Sequence, residues 1–162
     1  MFASTIYIRI KPELLSVLHV ESGREMADVP ALAVETRNGK ESVIASGADA
    51  LAKSAMPNVR IENGFQHPRT AIADFTVAEA TLNRFVRKIA VRTVFKPVVV
   101  IHALPALKGG LTGVEIRALG ELAATIGARE VYVWTGPELS PDQLRARVFP
   151  EGAGRVLNRF KP

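Results

Sequence analysis

One helical pattern, from Thr76 to Ile89, constrains this fold more than any other part of the sequence. Apolar side chains recur there at spacings near three and four residues, which places them on one face of a helix; they are Val77, Leu82, Phe85, Val86 and Ile89. Thr76 precedes Glu79 at the spacing of a capping box, so we expect the helix to begin there. The short apolar run Ala71–Ala73 predicts a strand that leads into this helix.

Two apolar runs follow this helix and predict buried parallel strands. Pro97–Leu104 is continuously apolar, as central parallel strands are, and Gly127–Trp134 contains the second run. Between them Thr112 and Glu115 repeat the capping-box spacing and predict a second amphipathic helix, which ends near Gly127. This order of strand, helix and strand predicts a parallel β-α-β unit.

The N-terminal part of the chain predicts antiparallel strands. Thr5–Ile10 and Leu14–Val20 are β-rich runs separated by three residues, which indicates a hairpin. Asn38-Gly39 is a strong signal for a second hairpin. Ser46 then precedes Asp49 at cap spacing and predicts a short helix of small residues. We expect residues from about 30 to 66 to form a small α+β insertion.

Length and composition fit one globular domain of 162 residues, with 48% hydrophobic and 23% charged residues. No apolar run reaches the roughly 18–20 residues that a membrane-spanning helix needs. The chain has no cysteine, which excludes disulfides and thiolate ligands. We therefore expect a cytoplasmic protein without a transmembrane segment.

A net charge of +5 and a pI near 9.9 favour acidic partners. The basic residues are dispersed, however, without a dense block or interleaved aromatics, so we interpret them as solvated helix faces and a basic tail. The tail comprises residues 151–162; it is either mobile or docked through Val156, Leu157 and Phe160.

Residues 69–86 carry a family resemblance: they read Arg-Thr-Ala-Ile-Ala-Asp-Phe and then Thr-Val-Ala-Glu-Ala-Thr-Leu-Asn-Arg-Phe-Val. This segment resembles the "DGVIADF" turn and following helix of the MreB-type bacterial actins, the rod-shape-determining proteins. Residues 127–134 are similar to that family's "GAREVYLI". The resemblance extends over about residues 5–134 and corresponds to the first half of such a protein.

The resemblance implies an α/β fold of the ribonuclease-H-like, actin-like ATPase type. We expect a mixed sheet begun by the N-terminal hairpin, extended by parallel strands near Ala71, Val98 and Val131, with helices packed on it. Residues 1–150 would form the actin-like domain, with the small insertion at 30–66, and residues 151–162 the tail.

The same resemblance identifies the first phosphate loop, an Asp-Leu-Gly-Thr run whose carboxylate serves the metal in that family. Aligning Ile8 with the residue before this aspartate puts Arg9, Ile10, Lys11 and Pro12 on the motif. A guanidinium does not hold magnesium, proline has no amide to donate, and lysine is strained where glycine used positive φ. We therefore predict a degenerate loop with no metal and no cofactor; in an alternative interpretation Arg9 and Lys11 attract an anion.

Glu115 is the only residue that matches a catalytic position of the family, where a glutamate is implicated in positioning the hydrolytic water. Its place in the predicted capping box explains it equally well, and we favour the cap. We interpret Asp74 as a buried acceptor in a turn. His19, His67 and His102 show no metal-ligand spacing.

These observations favour a non-catalytic actin-like scaffold, linked to bacterial cell shape or the cytoskeleton, over an enzyme. Its expected partners are copies of itself or full-length MreB-like filaments. The alternative is half of a split or dimeric ATPase, which would use ATP and Mg²⁺. A further alternative, nucleic-acid binding through the basic surface, predicts a steep salt dependence, and we do not favour it.

Overall fold

The computed structural model describes residues 3–89, 95–104 and 109–162. Along these residues the secondary-structure elements are β1 (Thr5–Lys11), β2 (Leu14–His19), β3 (Arg24–Asp28), β4 (Leu32–Arg37), β5 (Lys40–Ser46), α1 (Ala48–Ala52), β6 (Val59–Glu62), α2 (Phe75–Lys88), β7 (Val98–Ala103), α3 (Gly113–Ala124), β8 (Glu130–Thr135), α4 (Pro141–Ala146) and β9 (Arg155–Phe160).

The main sheet contains six of the described strands, in the order β3, β2, β1, β7, β8, β9. β1, β7 and β8 run parallel, while β2, β3 and β9 pair antiparallel with their neighbours. The predicted N-terminal hairpin and the parallel strands near Val98 and Val131 are therefore confirmed. The sheet is mixed, as the sequence predicts.

Side chains alternate between the two faces of the main sheet along each strand. Helices pack on both faces, so both sets of side chains are buried. Ile6, Ile8 and Ile10 of β1 belong to one buried cluster, which α2 and α3 complete with Leu82, Phe85, Leu119 and Leu122. Tyr7 belongs to the cluster on the opposite face, which α4 and its flanking segments cover. The two clusters make the central strands buried on both sides.

A second sheet, β5-β4-β6, is antiparallel and forms the small α+β insertion with α1. The Asn38-Gly39 hairpin joins β4 to β5, with positive φ at both residues. Small side chains allow α1 to pack closely on the sheet: Ala31, Ala33, Ala45 and Ala50 form this cluster. Gly47, not Ser46, is the N-cap residue of α1, and the Asp28 carboxylate accepts a hydrogen bond from the Ala48 amide at 3.0 Å.

The approach to α2 differs from the prediction. Ala71–Ala73 is irregular, not a strand, and the Ala73 amide donates instead to the Gly64 carbonyl at 2.7 Å. The helix begins at Phe75 because Asp74 is its N-cap, accepting from the Val77 amide at 3.0 Å. Thr76 therefore lies inside the first turn, and the predicted Thr76–Glu79 capping box is wrong. Asp74 is exposed, so it is an acceptor but not a buried one.

Residues 155–160, which the sequence assigned to a basic tail, form strand β9 at the edge of the main sheet. Of the two alternatives the structure has the docked one, because Leu157 and Phe160 pack on the core formed with α2 and α3. Gly120 of α3 makes room for this ring: a Cβ there would lie 2.7 Å from Phe160 Cε1.

Candidate functional site

The candidate site lies where the parallel strands β1 and β7 end. Open α/β sheets bind their ligands at the carboxyl ends of parallel strands, and Lys11 and Ala103 are the last residues of these two. The Lys11–Pro12 turn, segment 63–74 and the start of α3 surround this edge. The structure therefore brings the Lys11–Pro12 turn and Glu115 to the same edge of the sheet.

Arg9 points away from the helices α2 and α3, toward the face that carries Tyr7. Its guanidinium donates to Glu138 Oε2 and to Ser16 Oγ, both at 2.8 Å, and also forms an ion pair with Glu25. One positive and two negative side chains leave this cluster with a formal charge of −1. Arg9 therefore does not offer an anion the free positive charge that the alternative interpretation requires.

The remaining loop residues border a very small space. Ile10 is buried, and the Pro12 carbonyl accepts a hydrogen bond from Asn63 Nδ2 at 2.8 Å. The cavity at this edge measures about 20 Å³, which is room for about one water molecule. The described residues that line it are Ile10, Lys11, Pro12, Phe65, His67, Thr70, Ala71 and Ala103.

Glu115 caps α3 and also ties the segment before α2 to this helix. Its Oε2 accepts from the Thr112 amide at 2.8 Å and the Thr112 hydroxyl at 2.9 Å, while Oε1 accepts from the Ala71 amide at 3.1 Å. Thr112 in turn accepts from the Glu115 amide, so the predicted capping box is confirmed. Partial burial tends to raise the pKa of Glu115, but these hydrogen bonds outweigh it and hold the pKa below its usual value. The carboxylate is therefore ionised, with both oxygens engaged.

The comparisons with known proteins connect this geometry to one family. A sequence profile of the MreB/Mbl protein family matches residues 16–140. The chain belongs to this family. Comparison with curated protein sequences gave no match. The resemblance stated from residues 69–86 is thereby confirmed.

Solved structures similar to this MreB/Mbl chain support the actin-like fold. MreB5 of Spiroplasma citri bound to AMPPNP superposes with a TM-score of 0.66 at 19% identity, over 82% of this chain and 38% of that one. A non-polymerising variant of MamK bound to AMPPNP gives a TM-score of 0.65 at 15% identity, over 82% and 41%. The chain thus spans about two-fifths of the length of these proteins. At such identities the likeness shows the fold alone.

A buried polar network, which the sequence did not predict, lies beside Arg9 in this MreB/Mbl chain. The Tyr7 hydroxyl lies 2.7 Å from His102 Nδ1, and His102 Nε2 lies 2.9 Å from the Gly136 carbonyl oxygen. Because that carbonyl only accepts, Nε2 carries the proton, Nδ1 accepts from Tyr7, and the Tyr7 oxygen accepts from the Leu139 amide at 3.3 Å. The network ties β1 and β7 to the segment before α4.

Burial keeps both members of this pair neutral. It raises the pKa of Tyr7 to about 12 and lowers the pKa of His102. Period-two alternation puts Tyr7 and Arg9 on one face of β1, and that signal could have found this cluster. Alternation does not reveal that Glu138, 129 residues along the chain, is the partner of Arg9.

Two further observations concern the described part of the chain. There, no group of three or more His, Asp or Glu side chains is arranged to hold a metal ion. None of the helices in residues 3–89, 95–104 and 109–162 is long and apolar enough to span a membrane.

Proposed function

We propose that this MreB/Mbl chain is a non-catalytic actin-like module, which binds protein partners in the cytoplasm as part of the bacterial cell-shape or cytoskeletal machinery. The partners we infer are copies of itself or full-length MreB-like filaments. The proposal rests on family membership together with the chemistry at the end of β1.

The observation that carries the non-catalytic part is the environment of Arg9. Where the family resemblance puts a metal-binding carboxylate, this chain has a guanidinium held by Glu25, Glu138 and Ser16. Replacing it with a magnesium ion would place the metal beside two carboxylates but would need Arg9 to leave a well-bonded position. Pro12 further removes one backbone donor from the loop.

The state of Glu115 supports the same conclusion. Oε2 of Glu115 accepts two hydrogen bonds from Thr112, and these stabilise the start of α3. Oε1 accepts one from the Ala71 amide and ties the segment before α2 to the helix. These structural contacts account for the position of Glu115 without a catalytic role.

The test of this part is calorimetric titration of the folded chain with magnesium-ATP, repeated with ADP and without metal. We expect no heat of binding at millimolar nucleotide. Micromolar, metal-dependent binding would overturn the proposal. Circular dichroism of the same sample, before titration, separates a lack of binding from a lack of folded protein.

The proposed binding to protein partners is tested separately, because it does not depend on nucleotide binding. Sedimentation velocity over a wide concentration range measures self-association, and co-sedimentation with polymerised full-length MreB-type protein measures filament binding. We expect association in at least one assay. A chain that stays monomeric and remains in the supernatant would refute the scaffold role.

A second candidate function is half of a split or dimeric ATPase, completed by another polypeptide or by a second copy. It is favoured by one observation: similar solved structures carry a nucleotide, AMPPNP or ADP, and this chain spans about two-fifths of their length. In that case ATP turnover should fall in Glu115→Gln and persist in Glu121→Gln, a matched change on the exposed side of α3. Equal turnover in both variants would argue against it.

A further inference from the structure

A basic groove lies between the small α+β insertion and the main domain, on a different part of the surface from the site at the end of β1. The end of β5, α1 and the last turns of α2 line it, and its volume is about 410 Å³. Its charged side chains are Asp49, Lys53, Arg84 and Lys88. Three positive charges and one negative charge give it a formal charge of +2.

The three cations of this groove have no acidic partner among the described residues. Within the described residues, carboxylates pair with six arginines elsewhere: Arg9, Arg37, Arg60, Arg117, Arg145 and Arg159. Over that same part of the chain, Lys53, Arg84 and Lys88 have no carboxylate oxygen within 4.0 Å. Their positive charge is therefore available to a ligand.

Two of these cations are held in place by uncharged groups. Arg84 donates a hydrogen bond to the Val43 carbonyl oxygen at 2.9 Å, and the Lys88 ammonium lies 5.8 Å from the centroid of the Phe85 ring. These contacts restrict the side chains without neutralising them. Less conformational entropy is then lost when an anion binds, which favours binding.

We propose that the basic groove binds a phosphate group. A phosphate carries up to two negative charges and several acceptor oxygens. It therefore matches one guanidinium and two ammonium groups better than a carboxylate, which carries a single negative charge. The groove is a depression of about 410 Å³ between β5, α1 and α2, and no aromatic side chain is among the described residues that line it. A nucleic-acid strand, which needs a basic path and stacking platforms, therefore fits it poorly.

The phosphate comes either from a small phosphorylated molecule or from a phospholipid head group, and two assays distinguish these sources. Calorimetric titration with pyrophosphate tests the first source. Co-sedimentation with phosphatidylcholine vesicles that contain phosphatidic acid, compared with pure phosphatidylcholine vesicles, tests the second. Binding in either assay, weakened by added salt, supports the proposal.

The decisive comparison uses two double variants of equal charge. Lys53→Gln with Lys88→Gln removes two cations of the groove, whereas Lys40→Gln with Lys161→Gln removes two exposed cations outside it. We expect the groove variant to weaken binding by about 5- to 30-fold, taking roughly half to one kilocalorie per lost contact. The control variant should bind like the parent chain.

Two results would overturn the proposal. One is the absence of binding to both pyrophosphate and phosphatidic acid by a folded sample; if that sample binds a single-stranded oligonucleotide, the ligand is a nucleic acid. The other is an equal loss of binding in the two double variants, because this would indicate general surface charge.

Discussion

Removal of one oxygen atom, by Tyr7→Phe, tests the buried network that joins the main sheet to the segment before α4. Tyr7 is 1% exposed and its ring belongs to a buried cluster, so phenylalanine keeps the packing. What disappears is a donor to His102 Nδ1 at 2.7 Å and an acceptor for the Leu139 amide at 3.3 Å. The change leaves two buried polar groups without partners.

The magnitude follows from these two groups. An unsatisfied buried donor or acceptor costs roughly 1–3 kcal/mol, and the longer bond to Leu139 belongs near the lower limit. We therefore expect Tyr7→Phe to lower the free energy of unfolding by about 2–4 kcal/mol. This is a large part of the roughly 5–15 kcal/mol by which a native domain is stable.

Urea unfolding measures this difference as a shift in midpoint at constant m-value. Tyr132→Phe is the matched control: its hydroxyl donates to Glu130 at 3.2 Å, and Glu130 keeps its 2.6 Å bond from Arg159. The control should lose less than about 1 kcal/mol, since no buried group is left unpaired. Equal losses in the two variants, or a loss below about 1 kcal/mol in Tyr7→Phe, would refute the proposed network.

Three further changes test other contacts. Burial lowers the pKa of His102, so the imidazole binds a proton more readily in the unfolded chain than in the folded one. The free energy of unfolding should therefore fall as the pH drops below about 6.5, by at most about 1.4 kcal/mol per pH unit for this group. In His102→Gln this contribution to the pH dependence of unfolding should be missing. An unchanged slope would contradict this. In Gly64→Ala the new Cβ would lie 2.4 Å from the Ala78 backbone nitrogen, so urea unfolding should show a loss of at least about 2 kcal/mol. Gly113→Ala is the control, because its Cβ meets open space, and it should be neutral or stabilising by up to about 1 kcal/mol. Similar stability changes in Gly64→Ala and Gly113→Ala would refute the close approach of Gly64 to Ala78. Glu115→Ala should cost about 1–2 kcal/mol in thermal unfolding, against about 0.5 or less for the exposed Glu121→Ala; no difference between them would argue against the cap.

Local sequence patterns correctly predicted the parts of the fold in which a pattern is compatible with few alternative structures. The Asn38-Gly39 turn and the run Pro97–Leu104 are of this kind, because few other structures satisfy them. The predicted start of α2 was wrong because the Thr76–Glu79 spacing matches a capping box, whereas Asp74, two residues earlier, accepts from the Val77 amide and caps the helix. Ala71–Ala73 was misassigned because its amides donate to Gly64 and Glu115, which sequence spacing does not show.

The same contrast between local contacts, which the sequence predicts, and long-range contacts, which it does not, holds for the candidate site. The capping-box spacing predicted the bond between Glu115 and Thr112. The assignment of Arg9 and Pro12 to the phosphate-loop motif stays a prediction from the family resemblance. The partners of Arg9 could not be predicted, because Glu25 and Glu138 reach it only once the sheet and the segment before α4 are assembled. The contact of Glu115 with Ala71 also depends on tertiary structure.

Strand β9 affects the tendency of this protein to aggregate. β8 carries three fully buried apolar side chains, Val131, Val133 and Trp134, and β9 covers the edge that β8 would otherwise present. A chain shortened to residue 150 would expose a row of unpaired amides and carbonyls on an apolar strand. Such an edge is a template for intermolecular strand pairing and aggregation. β9 replaces this apolar edge with one that carries two exposed arginines, Arg155 and Arg159, and charged edge strands resist such pairing.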